Sequence, residues 1–360
     1  MKDAYDHYFP VPDFLAMPSH ALDISDESIK YGKITSHADG LRLESFGYEK
    51  IPAGIVSSGR IENEAKLVEI LNILKNKENM KFVRVSLPEE QMYLFNIVLP
   101  KLTNNEIKDS ITLQLEDHIP LSATDAIFDY ELIREVNDQS IFVQVVATSA
   151  VFIESYLSVL SQVGLVPVSF ELETQAIARA VVKYDMVGSA MVVDFGRTRT
   201  GISIVENGRV MFTSTFDMGG ERITEVISKH FKVSPEQAEQ MKKAYSDLGS
   251  DAENDIFPAI VSNLSVLLDE LRKHYSYWHT HNSEDSKPHE KIQKIILCGG
   301  ESNLYGIVPY LKTSMEMPVE YANAWVNIVD ITKTLPEMSF GDSLVYPTVF
   351  GLALGSFVKE

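Results

Sequence analysis

The sequence predicts an α/β protein built as two related halves that face one another, and three observations carry that expectation. A short apolar strand, an aspartate, a polar turn and a second strand occur twice in the same order. Residues 21–24, with Asp23 near the strand end, run into Ser25-Asp26-Glu27-Ser28 and resume at 29–34. Residues 190–193 run into Asp194 and a turn holding Gly196, Thr198 and Thr200, and resume at 201–205. The first ~90 residues read β-β-β-α-β, an order that calls for a mixed sheet covered by helices. Finally, 360 residues with 45% hydrophobic and 23% charged content supply enough core for two domains or one large two-lobed unit.

The elements follow in order. Residues 1–18 hold three prolines and no periodicity, and read as an extended arm. Residues 41–51 alternate as a third strand, and 63–75 place Leu67, Ile70, Leu71 and Leu74 on one helical face. A strand at 82–87 stops at Pro88. The chain then changes character. A strand at 92–98 is followed by a helix opening on Thr103 with Glu106 three residues later, a capping box, and closed by His118-Ile119-Pro120. Strands at 128–133 and 140–148 pair across Asn137-Asp138 to complete a small α+β insert.

A helix at 149–163 has Gly164 as its C′ residue, a strand covers 166–170 and a helix 173–184. Asn207-Gly208 marks a hairpin into a strand at 210–216. Helices follow at 223–231, from Ser234-Pro235-Glu236, and at 256–278 along a long apolar face. Residues 280–290 read as a solvated, His-rich loop. A buried strand at 294–297 runs into Gly299-Gly300, then a helix at 304–314, a strand at 319–321, an irregular stretch at 324–342, and an apolar helix at 346–358 with a small-residue face.

Composition narrows function. Lys and Arg total 32 against 51 Asp and Glu, a net charge of −19, and no basic patch exceeds a few residues. Such a surface repels nucleic acid and anionic lipid. Cys298 is the sole cysteine, so no intramolecular disulfide forms, and its place at a buried strand end reads as core. No apolar run reaches the roughly 18 residues of a membrane span, and the acidic, aromatic start is unlike a signal peptide. A soluble cytoplasmic protein is expected. His274, His279, His281 and His289 lack metal-site spacing, and no G-x-S-x-G is present.

A carboxylate at a strand end, beside a Gly/Thr turn, is the chemistry of a magnesium–phosphate site, because backbone N–H groups approach an anion where no Cβ intervenes. Asp23 and Asp194 are the candidate Mg²⁺ carboxylates. Ser25, Ser28 and Lys30 form the first turn, and Gly196, Thr198 and Thr200 the second. Gly219 and Gly220, just before a helix, are placed to offer N–H groups at its N-terminus, and Gly299, Gly300 and Asn303 to let backbone approach a base or ribose.

These pieces, in this order, resemble the actin/Hsp70/sugar-kinase ATPase superfamily. Within it the chain most resembles the type IV pilus assembly protein PilM family, related to the division protein FtsA, over roughly residues 19–358. LDISDESIK and the Asp194 stretch are similar to the two phosphate motifs, FELETQAIARA to the first connecting helix, MGGERIT to the Gly-Gly turn, CGGESNLYGI to the adenosine motif and VFGLALGSF to the C-terminal helix. The insert, with Leu87-Pro88, Leu99-Pro100, Glu106-Ile107, Leu115-Glu116, Ile119-Pro120 and Asp129-Tyr130, resembles the subdomain particular to PilM and FtsA.

The resemblance implies an actin-like (ribonuclease H-like) two-lobed fold with ATP or ADP and Mg²⁺ in the cleft. It places the first lobe at 19–86 and 149–186, the insert at 87–148, the second lobe at 187–232 and 291–360, and a helical subdomain at 233–290. It implies a scaffold peripheral to the inner membrane, with no membrane insertion of its own. The scaffold binds the cytoplasmic tail of a PilN-like protein in a groove between first lobe and insert, and couples to motor ATPases. Turnover is slow at most, with Glu171 or Glu173 as the water-orienting residue. Two alternatives are an FtsA-like filament former, whose basic amphipathic end the terminal SFVKE lacks, and an actin-fold small-molecule kinase, for which no sugar-binding pattern appears. The family's first turn usually reads DIGSSSVK, whereas here Asp26 and Glu27 stand where small residues cradle phosphate. Each like-charge contact at ~4 Å is of order 4 kcal/mol at an effective dielectric of 20 before screening. Arg197 and Arg199 of the second turn are placed to offset them.

Overall fold

Two five-stranded sheets organise the chain in the computed structural model, which describes residues 18–37, 40–248, 255–329 and 335–357. The arm expected over 1–18 lies outside the described residues but for Pro18. β1 (Ser19–Ile24), β2 (Ser28–His37) and β3 (Gly40–Lys50) form an antiparallel meander. A hairpin of two-residue strands, β4 (Val56–Ser57) and β5 (Arg60–Ile61), escaped the sequence pattern because two residues carry no period. Helix α1 (Glu64–Glu78) starts at Asn63, whose side chain accepts the Lys66 N–H. β6 (Phe82–Leu87) lies parallel to β1.

The insert holds β7 (Met92–Pro100), α2 (Asn104–His118), β8 (Ala126–Asn137) and β9 (Ser140–Ser149), with strand order β7-β9-β8. The Thr103–Glu106 capping box forms as expected. α3 (Ala150–Val163) ends on Gly164, whose φ of 73° supplies the left-handed cap. β10 (Val166–Leu172) completes the first sheet, in the order β10-β6-β1-β2-β3.

α4 (Glu173–Val181) leads to β11 (Ser189–Phe195), β12 (Thr200–Glu206) and β13 (Arg209–Phe216). The β12–β13 turn has φ of 50° at Asn207 and 81° at Gly208, as that dipeptide predicts. α5 (Gly220–Phe231), α6 (Pro235–Leu248) and α7 (Ile256–Thr280) precede β14 (Ile292–Cys298). α8 (Ile307–Met315), β15 (Val319–Tyr321), α9 (Phe340–Ser343) and α10 (Pro347–Leu354) finish the chain. The second sheet runs β13-β12-β11-β14-β15. Read from its meander side, the first sheet has the same plan: three antiparallel strands, then two parallel ones. The two halves are thus copies of one arrangement.

α1 and α3 cover the outer face of the first sheet, and α5, α7 and α8 that of the second. Between the sheets α4 and α10 share one core with β1, β11 and β14. There Gly351 is required by close approach, since a Cβ on it would sit 1.7 Å from the Ala176 carbonyl oxygen. α4 ends three residues earlier than the apolar pattern predicts. Asn327 takes its terminal carbonyls, donating from Nδ2 to the oxygens of Arg179 and Val182 at 2.9 and 2.7 Å. α10 also stops early, at Leu354, and Ser356 turns away to accept a hydrogen bond from Arg84 Nε.

Candidate functional site

The two aspartate turns face each other across a cavity of about 270 Å³ between the sheets. Asp23 is the penultimate residue of β1, with Lys30 opposite it on β2, and it is buried. Its Oδ2 accepts from Lys30 Nζ at 3.1 Å and its Oδ1 from Ser86 Oγ at 2.8 Å. Burial opposes the Lys30 charge, but the Asp23 carboxylate and its hydrogen bond win and raise the ammonium above its ordinary range.

Asp194 is likewise penultimate in β11, but its cross-strand partner is Gly201, and its neighbour on β14 is Cys298. The Cys298 thiol, 4.0 Å away, is its one hydrogen-bond partner among the described residues. Burial lifts the Asp194 carboxyl to about 6; Lys30 pulls it down and Asp23 pushes it up. Glu173 and Glu89 share this wall. Burial holds Glu173 well above the carboxylate range, reinforced by Asp23 and Asp194. Burial also raises Glu89, which accepts from Thr215 Oγ1 at 2.7 Å.

Most of the expected residues converge here. Asp23, Ser25, Ser28, Lys30, Glu173, Asp194, Gly196, Thr198, Gly299 and Gly300 all line the cavity. Five serve elsewhere. Thr200 is fully buried and donates to the Met218 carbonyl at 2.6 Å. Gly219 and Gly220 stand behind the second turn rather than open to the cleft. The Gly220 and Glu221 N–H groups donate to the carbonyls of Gly196 and Arg197, at 3.1 and 2.8 Å, so the turn itself consumes the helix N-terminus. A Cβ at Gly219 would lie 2.3 Å from the Arg197 oxygen, which explains that glycine by packing. Asn303 ties its turn to α9, donating to the Gly341 carbonyl. Glu171 faces away from the cleft, paired with Arg179 at 2.6 Å and Arg84 at 3.2 Å.

The first turn closes on itself, with Ser25 Oγ 3.0 Å from both the carbonyl and hydroxyl oxygens of Ser28. Asp26 accepts the N–H groups of Ser58 and Gly59 at the β4–β5 turn. It also reaches across the cleft to Arg199 Nη2 at 3.1 Å, and Glu27 reaches Arg197 Nε at 3.0 Å. Arg199 further contacts Glu90. The offset expected of the two arginines is therefore direct pairing between lobes.

Glu301 escaped the sequence reading, though it stands beside the Gly299-Gly300 pair. Its carboxylate lies over α5, where a Cβ on Gly220 would meet it within 1.9–2.4 Å. It pairs with buried Lys242 at 2.9 Å. Burial raises the Glu301 carboxyl, against the opposing pull of Lys242. The only sequence signal was a carboxylate at a cleft-facing turn.

The fit to a magnesium nucleotide is divided. Gly299 lines the cleft, but its φ of 91° and the collision a Cβ would make with the Phe195 carbonyl and Asp194 explain this glycine by packing, as at Gly219. Asp194 fits a cation, being buried and short of donors, and buried Thr174 Oγ1, which has no partner among the described residues, adds an oxygen to this wall. The first turn does not fit phosphate as it stands. Eight carboxylates and three cations line the cavity, a balance that opposes an anion unless a cation accompanies it. Among the described residues no group of three or more His, Cys, Asp or Glu is spaced to hold a metal alone, so any Mg²⁺ would draw ligands from water and phosphate as well.

Residues 21–357 match the model of the type IV pilus assembly protein PilM family. The chain belongs to this family. Its fold matches a solved PilM–PilN type IV pilus biogenesis complex with a TM-score of 0.79, over 95% of this chain and 99% of that one, at 21% identity. MreB5 of Spiroplasma citri bound to ADP matches at a TM-score of 0.53 and 12% identity, over 92% and 94% of the two chains. Ethanolamine utilization protein EutJ of Escherichia coli is 29% identical over 118 residues, 33% of this chain and 38% of that protein. The chain spans less than half the length of the curated relatives it matches. The actin-like two-lobed fold with its insert is therefore the fold of this PilM-family chain.

Proposed function

We propose that the chain is a scaffold of the type IV pilus inner-membrane platform, on its cytoplasmic side, which holds an extended segment of a PilN-like membrane protein. Family membership supports the assembly role, and the similar solved complex pairs PilM with PilN. The observation that carries the reading is a groove of about 390 Å³ between the edge of the insert's sheet and the edge of the second sheet, rather than between the first lobe and the insert where the resemblance puts it. Tyr93, Leu94 and Phe95 of β7 line one wall and Thr213 and Thr215 of β13 the other. Both strands are outermost in their sheets, so each offers main-chain groups to an extended segment. Asn96 and Gln144 donate to the carbonyls of Met211 and Val210, which closes one end and leaves the groove beyond it. No helix among the described residues is long and apolar enough to cross a membrane, and in this reading attachment runs through the partner.

In the same reading the cleft takes ATP or ADP with Mg²⁺, and the lobes, insert and helical subdomain divide as the resemblance implies. Asp194 faces the cation, Gly196 and Thr198 the phosphates, Gly299 and Gly300 the nucleoside. The Asp23–Lys30 pair flanks the first turn. Of the two candidate water-orienting residues only Glu173 lines the cleft; slow turnover at most, and coupling to motor ATPases, belong to the same reading.

Calorimetric titration with a peptide of the partner's cytoplasmic tail tests the scaffold role. Micromolar-range binding to the wild type, weakened at least tenfold by Thr213→Lys, is the expected result. No heat with the wild type, or an unchanged affinity in the variant, counts against it.

A further inference from the structure

We infer that the cleft is latched by its own carboxylates, which occupy the cations a polyphosphate would need. Two contacts across the cleft place this device, and a third lies behind its wall. Asp26 of the first turn pairs with Arg199 of the second at 3.1 Å, and Glu27 pairs with Arg197 at 3.0 Å. Glu301, at the third edge of the cleft, pairs with Lys242 at 2.9 Å. The first two pairs join opposite lobes and bridge the cleft. Asp26 is held in that pose from behind by the Ser58 and Gly59 N–H groups, and Arg199 is held by Glu90 as well. Arg197 has Glu221 as a second partner, 3.4 Å away.

The paired turns stand over a cavity of about 270 Å³, so an entering nucleotide competes for the arginines that bridge them. Entry exchanges the two arginines from Asp26 and Glu27 to phosphate, and leaves both carboxylates facing an anion. The latch and the nucleotide therefore exclude each other, and the lobes stay together with the cleft empty. The latch pairs are partly exposed, at 24% for Arg199 and Asp26 and 49% and 33% for Arg197 and Glu27, so salt loosens them. The nucleotide half of this inference rests on the reading of the cleft given above; the latch itself does not.

Two readouts on the full chain separate the halves. In small-angle X-ray scattering of the ligand-free protein, Asp26→Ser/Glu27→Ser and Arg197→Ala/Arg199→Ala both enlarge the radius of gyration, and high salt enlarges the wild type alike. Glu27→Ser alone spares the β4–β5 turn and produces a smaller change of the same sign. With Mg-ADP in calorimetry, the carboxylate variants bind at least tenfold tighter than wild type, whereas the arginine variant binds more weakly. Glu301→Gln tightens ADP by a smaller factor. Unchanged ligand-free dimensions in both double variants overturn the latch. Enlarged dimensions with no ADP heat from any protein support the latch and overturn the nucleotide reading. ADP affinity equal or weaker in the carboxylate variants, with binding present in the wild type, overturns the exclusion.

Discussion

Asp23 and Asp194 occupy matching positions in two copies of one strand plan, yet their surroundings have diverged. Asp23 faces Lys30 across β2 and Ser86 on β6, and both donate to it. Asp194 faces Gly201 across β12 and Cys298 on β14, one without a side chain and the other a weak donor. The first carboxylate lines the cleft with both oxygens already accepting hydrogen bonds. The second is lifted to about 6 by burial and opens on the cleft. The two acidic strand ends share one plan, and the four flanking positions leave Asp23 paired and Asp194 without a strong donor.

The comparison breaks most severely at Lys30. Lys30→Met strands the buried Asp23 carboxylate, and urea denaturation at pH 7.5 should record a loss of about 3–5 kcal/mol. The opposite transplant is Gly201→Lys, which builds the first half's cross-strand ammonium opposite Asp194. The nearest atoms to a Cβ there are Glu89 Oε2 at 3.7 Å and Asp194 Cβ at 3.9 Å, so the position has room. A gain of about 1 kcal/mol is expected from the new pair and the loss of a strand glycine. Any thermal upshift that Mg²⁺ gives the wild type should disappear in this variant. Smallest is Cys298→Ser, which gives Asp194 the hydroxyl that Ser86 gives Asp23. It should stabilise by about 0.5–1 kcal/mol at pH 7.5 and have no effect at pH 3.5, where the carboxyl is protonated.

Much of this contrast was legible in the sequence. The two strand–Asp–turn units, the Thr103–Glu106 box, the Gly164 cap and the Asn207-Gly208 turn are local patterns, written within a few residues and formed as read. Lys30 and Gly201 are local too, each seven residues beyond its aspartate. What stayed hidden depends on segments distant in sequence. The carbonyls that absorb the Gly220 and Glu221 N–H groups belong to a turn some twenty residues upstream, visible only once α5 is docked. The Asp26–Arg199 pair spans 173 residues and needs both lobes in place. Glu171 and Glu173 alternate along one segment, and only the start of α4 decides that Glu173 enters the cleft while Glu171 meets Arg84 and Arg179.

The unequal roles of the two aspartates are tested most directly by Asp23→Asn and Asp194→Asn, unfolded in urea with chelator across pH 3.5 to 7.5. The carboxyl of Asp194 rises from 3.8 to about 6 on folding, so the folded state binds its proton more tightly. Stability from that proton is complete below 3.8 and is lost as pH climbs through about 6. Asp194→Asn should therefore match the wild type at pH 3.5 and exceed it at pH 7.5. The shift corresponds to about 3 kcal/mol, reduced to roughly 1–3 because the group opens on water. Asp23→Asn should instead lose stability at pH 7.5, since it breaks the Lys30 pair. Equal losses at pH 7.5 in both variants would show two equivalent structural carboxylates and contradict the proposal that Asp194 faces the cation.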